Sequence, residues 1–482
     1  MGRSRSHDRR RRGRDSRRGG NRRSRDRRGR GGGGDHDRKH DRRREARRSR
    51  SKRRHSSARH GRRRRSSSES VSRDRKRWQK RRSPTPYQSS SASDSASSGS
   101  ESKKKSADSD KDEIVHFNYF KGQMLGDKEK LGTSNRYEVV KLLGDGTFGR
   151  VLLCKDCVEK KQVAVKVIRD VKRYAENAKI EADILDDIKA ADPEGRRSRS
   201  AVLHTHFNFN RHFCLVFDVC GTSLYDFLKE NNFKGFWLKD IQHIAEQSLE
   251  ALGFLHSRLQ MTHTDLKPEN ILLAVKDAPM SCDFPREAAW EAKNKGSSKK
   301  NGNRYLRPTS SEIKLIDFGN ATYEDEHHSS IINTRQYRGP EVILSLGWND
   351  RSDVWSMGCI LMELYTGELL FGTHENLEHL ALMEKSLGKM PSKMLSQSPG
   401  SPREKFLARD RFGDWRLNWP AGAQSPSSER HVRNQLTLKQ LAAPQHESFA
   451  SFVGHLLTFD KASRPSSLEA LKHPFLKEDI VE

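Results

Sequence analysis

The stretch His263-Thr-Asp-Leu-Lys-Pro-Glu-Asn270 decides the fold of this chain. It brings a carboxylate, an ammonium group and an amide within a few residues of one another, and phosphoryl transfer requires all three. We expect Asp265 to orient and deprotonate an acceptor hydroxyl, and Lys267 to stabilise the transferring phosphoryl group. Asn270 is expected to hold a Mg²⁺ ion.

A glycine-rich segment lies upstream, Gly144-Asp-Gly-Thr-Phe-Gly-Arg-Val151. Such glycines let a backbone lie close to phosphates, but they also occur in dinucleotide-binding turns. Here strand patterns flank the segment, and Val163-Ala-Val-Lys166 begins 14 residues after Gly149, an order that excludes the dinucleotide interpretation. The residues of this region predicted to contact ATP are Leu143, Gly144, Gly146 and Gly149.

Lys166 is predicted to form an ion pair with an acidic residue of the helical stretch that follows. The lysine should neutralise the α and β phosphates of ATP, and Glu181 lies at a suitable distance to hold its ammonium group. Glu176 is the other candidate in the same stretch, but the helical register favours Glu181.

Asp317-Phe-Gly319 follows the apolar run Ile313-Lys-Leu-Ile316. Asp317 is predicted to be the second Mg²⁺ ligand, a carboxylate that bridges the metal to the β and γ phosphates. Phosphoryl transfer depends on charge neutralisation and in-line positioning more than on covalent chemistry. The complete set therefore predicts a protein kinase domain at about residues 113–476, with ATP and Mg²⁺ as cofactors.

Two structural contacts are also predicted. Glu341, in Gly339-Pro-Glu341, should pair with Arg464 at the base of the larger lobe. Asp353 resembles the helix residue that braces the catalytic loop in protein kinases.

The apolar pattern changes along the chain. Short alternating runs from Tyr137 onward predict a β-meander, whereas segments 241–255, 352–364 and 449–457 carry apolar residues at the three and four spacing of amphipathic helices. The predicted fold class is therefore α+β, a bilobal eukaryotic protein kinase fold.

The two lobes and their insertions have approximate predicted boundaries. The small β-rich N-lobe should span about 137–220, and the large helical C-lobe about 221–476. Polar insertions at about 276–312 and 396–433 are expected to be surface loops, the second partly helical.

Residues 1–112 are predicted to be a disordered, Arg/Ser-rich basic tail. Residues 1–110 hold 41 Lys and Arg against 13 Asp and Glu, so 28 of the net 29 positive charges lie there. With almost no aliphatic residues, the segment cannot offset the entropy of ordering its backbone. Such a tail suits nuclear import and solubility, or docking to RNA and ribonucleoprotein partners, and the two interpretations stay open together.

Read together, the catalytic loop, the activation segment and the large lobe closely resemble the CDC-like, or LAMMER, kinases over about residues 118–477. The diagnostic stretches are Thr262-His-Thr-Asp-Leu-Lys-Pro-Glu-Asn-Ile-Leu272, Glu326-His-His-Ser-Ser330, Thr334-Arg-Gln-Tyr-Arg338 and Glu378-His-Leu-Ala-Leu-Met-Glu-Lys-Ser-Leu-Gly388. In the last of these, Leu382, Lys385 and Ser386 replace the Met, Arg and Ile of the family signature.

The resemblance implies the phosphorylation of Ser in Arg/Ser-rich splicing factors, self-phosphorylation on Tyr as well as Ser and Thr, and a nuclear location. It also implies a gatekeeper at Phe217 and a hinge from Asp218 to Cys220 beside adenine. The apolar residues that would enclose the base are Val151, Ala164 and Leu272.

Thr264 departs from a common kinase pattern. Kinases that are switched on by activation-loop phosphorylation usually carry an Arg at this position, which pairs with the phosphate. Because Thr264 has no charge, we expect the domain to be active without that modification.

Other interpretations remain at this point. A related kinase with a different substrate class is one, although SR-protein kinases typically carry a longer insert than 276–312. The dual-specificity Tyr-regulated kinases carry a Tyr-x-Tyr in the activation segment that is absent here. A tail-driven RNA- or spliceosome-binding scaffold is another, but intact Lys166, Asp265, Asn270 and Asp317 argue against an inert kinase fold.

Composition limits the remaining possibilities. Six cysteines in 482 residues do not make a disulfide framework, and Cys154 and Cys157 have no second pair at zinc-ligand spacing. No apolar run approaches the roughly 20 residues that a membrane span needs, so no membrane contact is expected, and a monomer is predicted.

An Arg-rich substrate would need a carboxylate-lined groove, for which the large lobe offers Asp226, Glu230, Asp240 and Glu246.

Overall fold

The computed structural model describes residues 117–293 and 304–482 of the chain. The predicted disordered tail, residues 1–112, lies outside the described residues, and its boundary stays a prediction. Within the described part, an antiparallel sheet comes first and a mainly helical region follows, in the order that the sequence predicts.

One antiparallel sheet forms the N-lobe. Its strands are β1 (Met124–Asp127), β2 (Thr133–Asp145), β3 (Gly149–Asp156), β4 (Gln162–Ile168), β5 (Leu203–Phe209) and β6 (His212–Asp218). They lie in the order β1-β2-β3-β4-β6-β5. Alternate valines of β4, Val163, Val165 and Val167, are each at most 1% exposed in the lobe's core. This alternation of β-branched residues gives the strand one fully covered face.

Two helices accompany the sheet, α1 (Lys128–Leu131) and α2 (Lys172–Ala191). The longer helix contacts β4, β5 and β6. Ala178, Ala182 and Leu185 recur at the three and four spacing of one helical face, and all three are buried. Glu181 lies beside Ala182 on this buried side, so the packing of α2 directs a carboxylate toward the sheet.

The C-lobe is mainly helical. Its helices are α3 (Leu224–Glu230), α4 (Leu238–Phe254), α5 (Glu287–Lys293), α6 (Pro340–Ile343), α7 (Arg351–Thr366), α8 (Asn376–Leu387), α9 (Ser392–Leu395), α10 (Gly400–Phe406), α11 (Pro426–Asn434), α12 (Leu438–Leu441), α13 (Glu447–Leu456) and α14 (Ser467–Ala470). Helix α7 is buried on almost every side because it is apolar almost all round. It contacts both α4 and α13, and so forms the centre of the lobe.

Short strand pairs hold the loops of the C-lobe. The strands are β7 (Met261–Thr262), β8 (Ile271–Leu273), β9 (Met280–Cys282), β10 (Tyr305–Arg307), β11 (Ile313–Leu315), β12 (Thr322–Tyr323), β13 (Leu407–Arg409) and β14 (Trp415–Leu417). Strand β7 pairs with β12, and β8 pairs with β11. The loop that begins at His263 and ends at Asn270 is therefore fixed by strand pairing at both ends.

The two predicted surface insertions are more ordered than the sequence indicates. In the first, β9 and β10 pair as antiparallel strands, and Phe284 and Tyr305 are buried in the lobe. In the second, β13 and β14 form a hairpin that contacts α9 and α10, with Leu407 buried. The helical part expected in the second insertion is present as α10 and α11. The paired strands of both insertions were not expected, because strands of three residues are too short to give a readable period.

The α+β, bilobal architecture predicted from the sequence is confirmed. In the part of the chain that the structure describes, no helix combines the length and apolar character needed to span a bilayer.

Candidate active site

The predicted ion pair joins the two sides of the N-lobe. The Lys166 ammonium group, on β4, lies 2.8 and 2.9 Å from the two carboxylate oxygens of Glu181, on α2. The prediction of Glu181 rather than Glu176 is confirmed, since Glu176 is exposed. Burial alone would lower the pKa of Lys166, but the charges of Glu181 and Asp317 outweigh it and raise that pKa. The lysine is therefore a fixed cation facing the cleft.

The glycine-rich segment forms the turn between β2 and β3. Gly144 is the partner of Val151 across these strands, and Val151 is the partner of Lys166 on the other side. A Cβ added at Gly144 would meet nothing within 4 Å, whereas one at Gly149 would lie 2.2 Å from the carbonyl oxygen of Val167. Gly149 is thus required by the neighbouring strand, and the open space lies at the other end of the turn.

The catalytic loop gathers its polar groups around Asp265. Lys267 donates to Asp265 Oδ2 at 2.8 Å, and Thr334 donates through its hydroxyl to Asp265 Oδ1 at 2.8 Å. The Asn270 side-chain nitrogen donates to the Asp265 carbonyl at 2.9 Å. Burial opposes the charge of Lys267, but Asp265 offsets this and raises the pKa of the ammonium group. The loop therefore presents a carboxylate whose two oxygens are both oriented.

Asp353, on α7, holds the start of this loop. Its carboxylate accepts from the backbone N–H of His263 at 2.8 Å and of Thr264 at 3.0 Å. The predicted bracing contact is confirmed. Thr264 has φ of 66°, an unfavourable region for a β-branched residue. Its hydroxyl donates to the Asn320 carbonyl at 2.7 Å, so these contacts hold a strained backbone directly before Asp265.

Asp317 follows β11 and also has a positive φ, 65°. Its carboxylate lies 3.5 Å from the Lys166 ammonium group. Burial would raise the pKa of Asp317, but Lys166, Lys267 and His263 lower it below its ordinary range. The next residue, Phe318, is fully buried with its ring 4.9 Å from that of His263.

The predicted adenine-contacting residues lie at the junction of the lobes. Phe217 is the partner of Ala164 between β6 and β4, and Asp218 is the partner of Val163. Cys220 lies two residues after the end of β6, and Leu272 lies on β8. Leu143 lies on β2 and is 43% exposed.

The sequence interpretation missed Gly221 at this junction. Its N–H donates to the Leu273 carbonyl at 2.8 Å, and an added Cβ would lie 2.1 Å from the Val275 carbonyl oxygen. The hinge therefore approaches β8 so closely that only glycine fits. No local sequence pattern signals this contact.

The donor set suits ATP and a divalent cation. Asp317 supplies a charged oxygen, and because the Asn270 nitrogen is committed to the Asp265 carbonyl, its amide oxygen is the atom that could act as a ligand. The open space at Gly144 leaves room for phosphates. A bound divalent cation would neutralise phosphate charge here, and Lys166 would add to that neutralisation.

Carboxylates gather beside the catalytic loop. Helix α3 contacts the turn Pro268–Asn270, which places Asp226 near Glu269, and both side chains are exposed. Although the Glu269 side chain reaches solvent, the surrounding protein partly desolvates its carboxylate and raises its pKa. Lys267 opposes this rise, and Asp265 and Asp226 add to it. Asp240, another acidic residue considered from the sequence, is instead buried and bonded to Arg307 at 2.9 and 3.0 Å.

Comparisons with known proteins agree with this geometry. The family model described as "Protein kinase domain" matches residues 137–476. The serine/threonine-protein kinase AFC3 of Arabidopsis thaliana is 42% identical over 346 residues, which cover 71% of this chain and 82% of that protein. The dual specificity protein kinase CLK2 of Homo sapiens is 39% identical over 341 residues, covering 70% of this chain and 64% of that protein.

A fission yeast relative and a solved structure extend the comparison. The dual specificity protein kinase lkh1 of Schizosaccharomyces pombe is 40% identical over 351 residues, covering 72% of this chain and 48% of that protein. A crystal structure of a kinase domain superposes with a TM-score of 0.66 at 42% identity, covering 75% of this chain and 99% of that one.

Proposed function

The chain belongs to the CDC-like, or LAMMER, family of protein kinases, and from this premise we propose that it phosphorylates Ser and Thr residues of Arg/Ser-rich splicing factors. Membership of this family establishes the enzyme class: the chain is a protein kinase that uses ATP and a divalent metal ion. The substrate class, and Mg²⁺ as the metal, belong to the proposal.

The carboxylates beside the catalytic loop are the observation that carries the proposal. Glu269 lies in the turn Pro268–Asn270, which helix α3 contacts, and the carboxylates of Asp226 on that helix and of Asp265 in the catalytic loop both act on it as like charges. The nearby ammonium group of Lys267 is already bonded to Asp265. A cationic side chain of the substrate would relieve this repulsion, and a guanidinium group can engage carboxylates with two parallel hydrogen bonds. An Arg next to the acceptor Ser therefore complements the surface by charge and by hydrogen bonding.

In the proposed reaction, Asp265 accepts the proton of the substrate hydroxyl as that oxygen attacks the γ phosphorus of ATP. Lys267 and Lys166 stabilise the negative charge of the transferring group and of the remaining phosphates. The hydrogen bond from Thr334 keeps the Asp265 carboxylate aimed at the acceptor position.

Three further parts of the proposal rest on family resemblance and on tail charge. They are self-phosphorylation on Tyr as well as Ser and Thr, a nuclear location, and contact of the basic tail with RNA or ribonucleoprotein. The names of CLK2 and lkh1 as dual specificity kinases support the first. The charge excess of residues 1–110 supports the last.

A peptide panel tests the substrate class. The full-length protein with Mg-ATP is given peptides whose acceptor Ser lies in an Arg-Ser, a Ser-Pro or an acidic context, and an Asp265→Asn variant reports contaminating kinase activity. We expect the Arg-Ser peptides to have the highest kcat/KM. Equal phosphorylation of all three sets would reject the substrate class and leave the enzyme class intact.

A further inference from the structure

The activation segment is anchored to the C-lobe by a ring stack. The imidazole of His328 lies parallel to the indole of Trp348, with ring centroids 4.0 Å apart and an interplanar angle of 9°. The indole N–H donates to the Ser329 carbonyl at 2.7 Å. Trp348 is only 6% exposed and packs with Ile332 and Val342 in a small apolar cluster. Trp348 thus contacts the segment in three ways: its ring face stacks on His328, its N–H bonds to Ser329, and its side chain packs against Ile332.

The residues after the stack are held by contacts to backbone carbonyls. The guanidinium group of Arg338 donates to the carbonyls of Ile332 at 2.8 Å and of Asn333 at 2.9 Å. Asn333 donates from its backbone N–H and from its side-chain nitrogen to the Thr264 carbonyl, both at 3.0 Å. Each of these hydrogen bonds ends on a backbone carbonyl.

These contacts form a continuous path to the catalytic carboxylate. The segment leaves the stack at His328, meets the catalytic loop where Asn333 bonds to Thr264, and reaches Asp265 through Thr334. Displacement of the segment at its anchored end would therefore move the hydroxyl that orients Asp265.

A stack of this kind is strong enough for the task. Paired aromatic rings stabilise a contact beyond the area they bury, and a hydrogen bond to a carbonyl adds a comparable contribution. In kinases that depend on activation-loop phosphorylation, new ion pairs between an Arg and the phosphate order the segment. Thr264 cannot form such a pair, so the ordering must come from other contacts.

We propose that the stack of His328 on Trp348, with the indole hydrogen bond to Ser329, holds the activation segment in its working conformation in place of a phosphate group. His328 and Trp348 are thus positioning residues: they fix the part of the segment that ends at Thr334, which orients Asp265. This role of the stack depends on the chain being a protein kinase, which family membership establishes. It does not depend on which protein substrate the kinase phosphorylates.

The chain offers a matched control, because His327 is the adjacent histidine and its side chain is exposed. The full-length protein is treated with phosphatase, the phosphatase is removed, and kcat and KM are measured for one Arg-Ser peptide and for ATP. The variants are His328→Ala, His328→Phe, which keeps a stacking ring, and His327→Ala. Thermal unfolding and limited proteolysis across residues 324–334 accompany each assay.

We expect the phosphatase-treated wild-type protein to keep most of its activity. His328→Ala should lower kcat/KM for the peptide about three- to tenfold, in keeping with the loss of a ring stack, while KM for ATP and the Tm stay close to wild type. Cleavage within 324–334 should accelerate. His328→Phe should restore kcat/KM to within about twofold of wild type, and His327→Ala should match wild type.

Several results would overturn the proposal. One is loss of wild-type activity on phosphatase treatment, and another is a His328→Ala variant that behaves like His327→Ala. A third is equal impairment of His328→Ala and His328→Phe, which would assign the effect to the imidazole and not to the stack. Failure of the proposed substrate class would appear instead as a lost preference between peptides, which none of these variants is expected to change.

Discussion

The hydroxyl of Thr334 donates a hydrogen bond to Asp265 Oδ1 at 2.8 Å, and the Thr334 backbone N–H lies 3.2 Å from the same oxygen. Lys267 holds the other carboxylate oxygen. The activation segment and the catalytic loop therefore meet at the carboxylate proposed to accept the substrate proton. The Asp265 carboxylate is therefore oriented correctly only when the activation segment is placed correctly.

The first prediction concerns this contact. Thr334→Val keeps the shape of the side chain but removes the donor, so the Asp265 carboxylate gains rotational freedom. We expect kcat to fall about tenfold, equivalent to about 1.4 kcal/mol of transition-state stabilisation. Thr334→Ser keeps the hydroxyl and should retain most of the activity. Steady-state kinetics on an Arg-Ser peptide measure both variants, and equal values of kcat for Val and Ser would contradict the prediction.

The second prediction concerns the pair between Lys166 and Glu181. Glu181→Gln leaves the ammonium group with a neutral partner, so it is less firmly held against the phosphates. We expect kcat/KM for ATP to fall about 10- to 100-fold, in the range for a hydrogen bond to a charged group. Glu176→Gln is the control, since Glu176 is exposed on the same helix. If both substitutions have the same effect, the pair has no specific part in ATP use.

The third prediction concerns the predicted pair of Glu341 and Arg464, which the structure confirms. The guanidinium nitrogens lie 2.6 and 2.9 Å from the carboxylate oxygens, and both side chains are at most 1% exposed. Glu341→Gln would leave a buried cation without its counter-charge, which costs about 3–5 kcal/mol. Urea unfolding of the full-length protein measures the loss.

An exposed pair supplies the control for that measurement. Lys439 and Glu447 also lie 2.6 Å apart, but their side chains are 76% and 66% exposed. Glu447→Gln should leave the unfolding free energy unchanged within error, because solvent screens such pairs. A loss as large as that of Glu341→Gln would show that distance, and not burial, decides the effect.

The fourth prediction concerns pH. Burial raises the pKa of the Glu363 carboxyl from 4.5 to about 7, and Tyr337 donates to it at 2.7 Å. Because the folded state holds this proton more tightly than the unfolded chain, the group's stabilising contribution is fully present below its unfolded pKa of 4.5. It is lost as the pH rises through about 7.

Glu363→Gln removes this titration and keeps an acceptor for Tyr337. Between pH 4.5 and about pH 7, the wild-type unfolding free energy should decline relative to the variant and then level off at higher pH. The decline should reach up to about 1.4 kcal/mol per pH unit. Urea unfolding at several pH values provides the measurement. Parallel pH profiles for the two proteins would rule out an elevated pKa at Glu363.

Much of the fold and of the candidate site could be predicted from the sequence because its decisive patterns are local. The order of sheet and helices follows from apolar periodicity, and the groups around Asp265 and Asp317 lie within short motifs. Even the pairing of Lys166 with Glu181 follows from helical register. Contacts between distant segments of comparable polarity are harder to predict.

What the sequence did not reveal depends on three-dimensional approach. The requirement for Gly149 comes from a carbonyl of β4, and the requirement for Gly221 comes from a carbonyl just beyond β8. Asp240 was a candidate for substrate contact, but it is neutralised by Arg307 from an insertion expected to be a plain loop. The positive φ of Thr264 is invisible without the contacts that hold it.

We propose that Glu269 and Asp226 select an Arg beside the acceptor Ser. The most direct measurement compares kcat/KM for an Arg-Ser peptide and its Ala-Ser counterpart, using wild-type protein and the Glu269→Gln, Asp226→Asn double variant. Glu230→Gln, an exposed acidic position at the end of α3, is the control. We predict a wild-type preference for Arg of about 10- to 100-fold that falls toward one in the double variant alone, with the Ala-Ser rate unchanged. A preference that persists in the double variant, or that is absent from the wild-type protein, would contradict the claim.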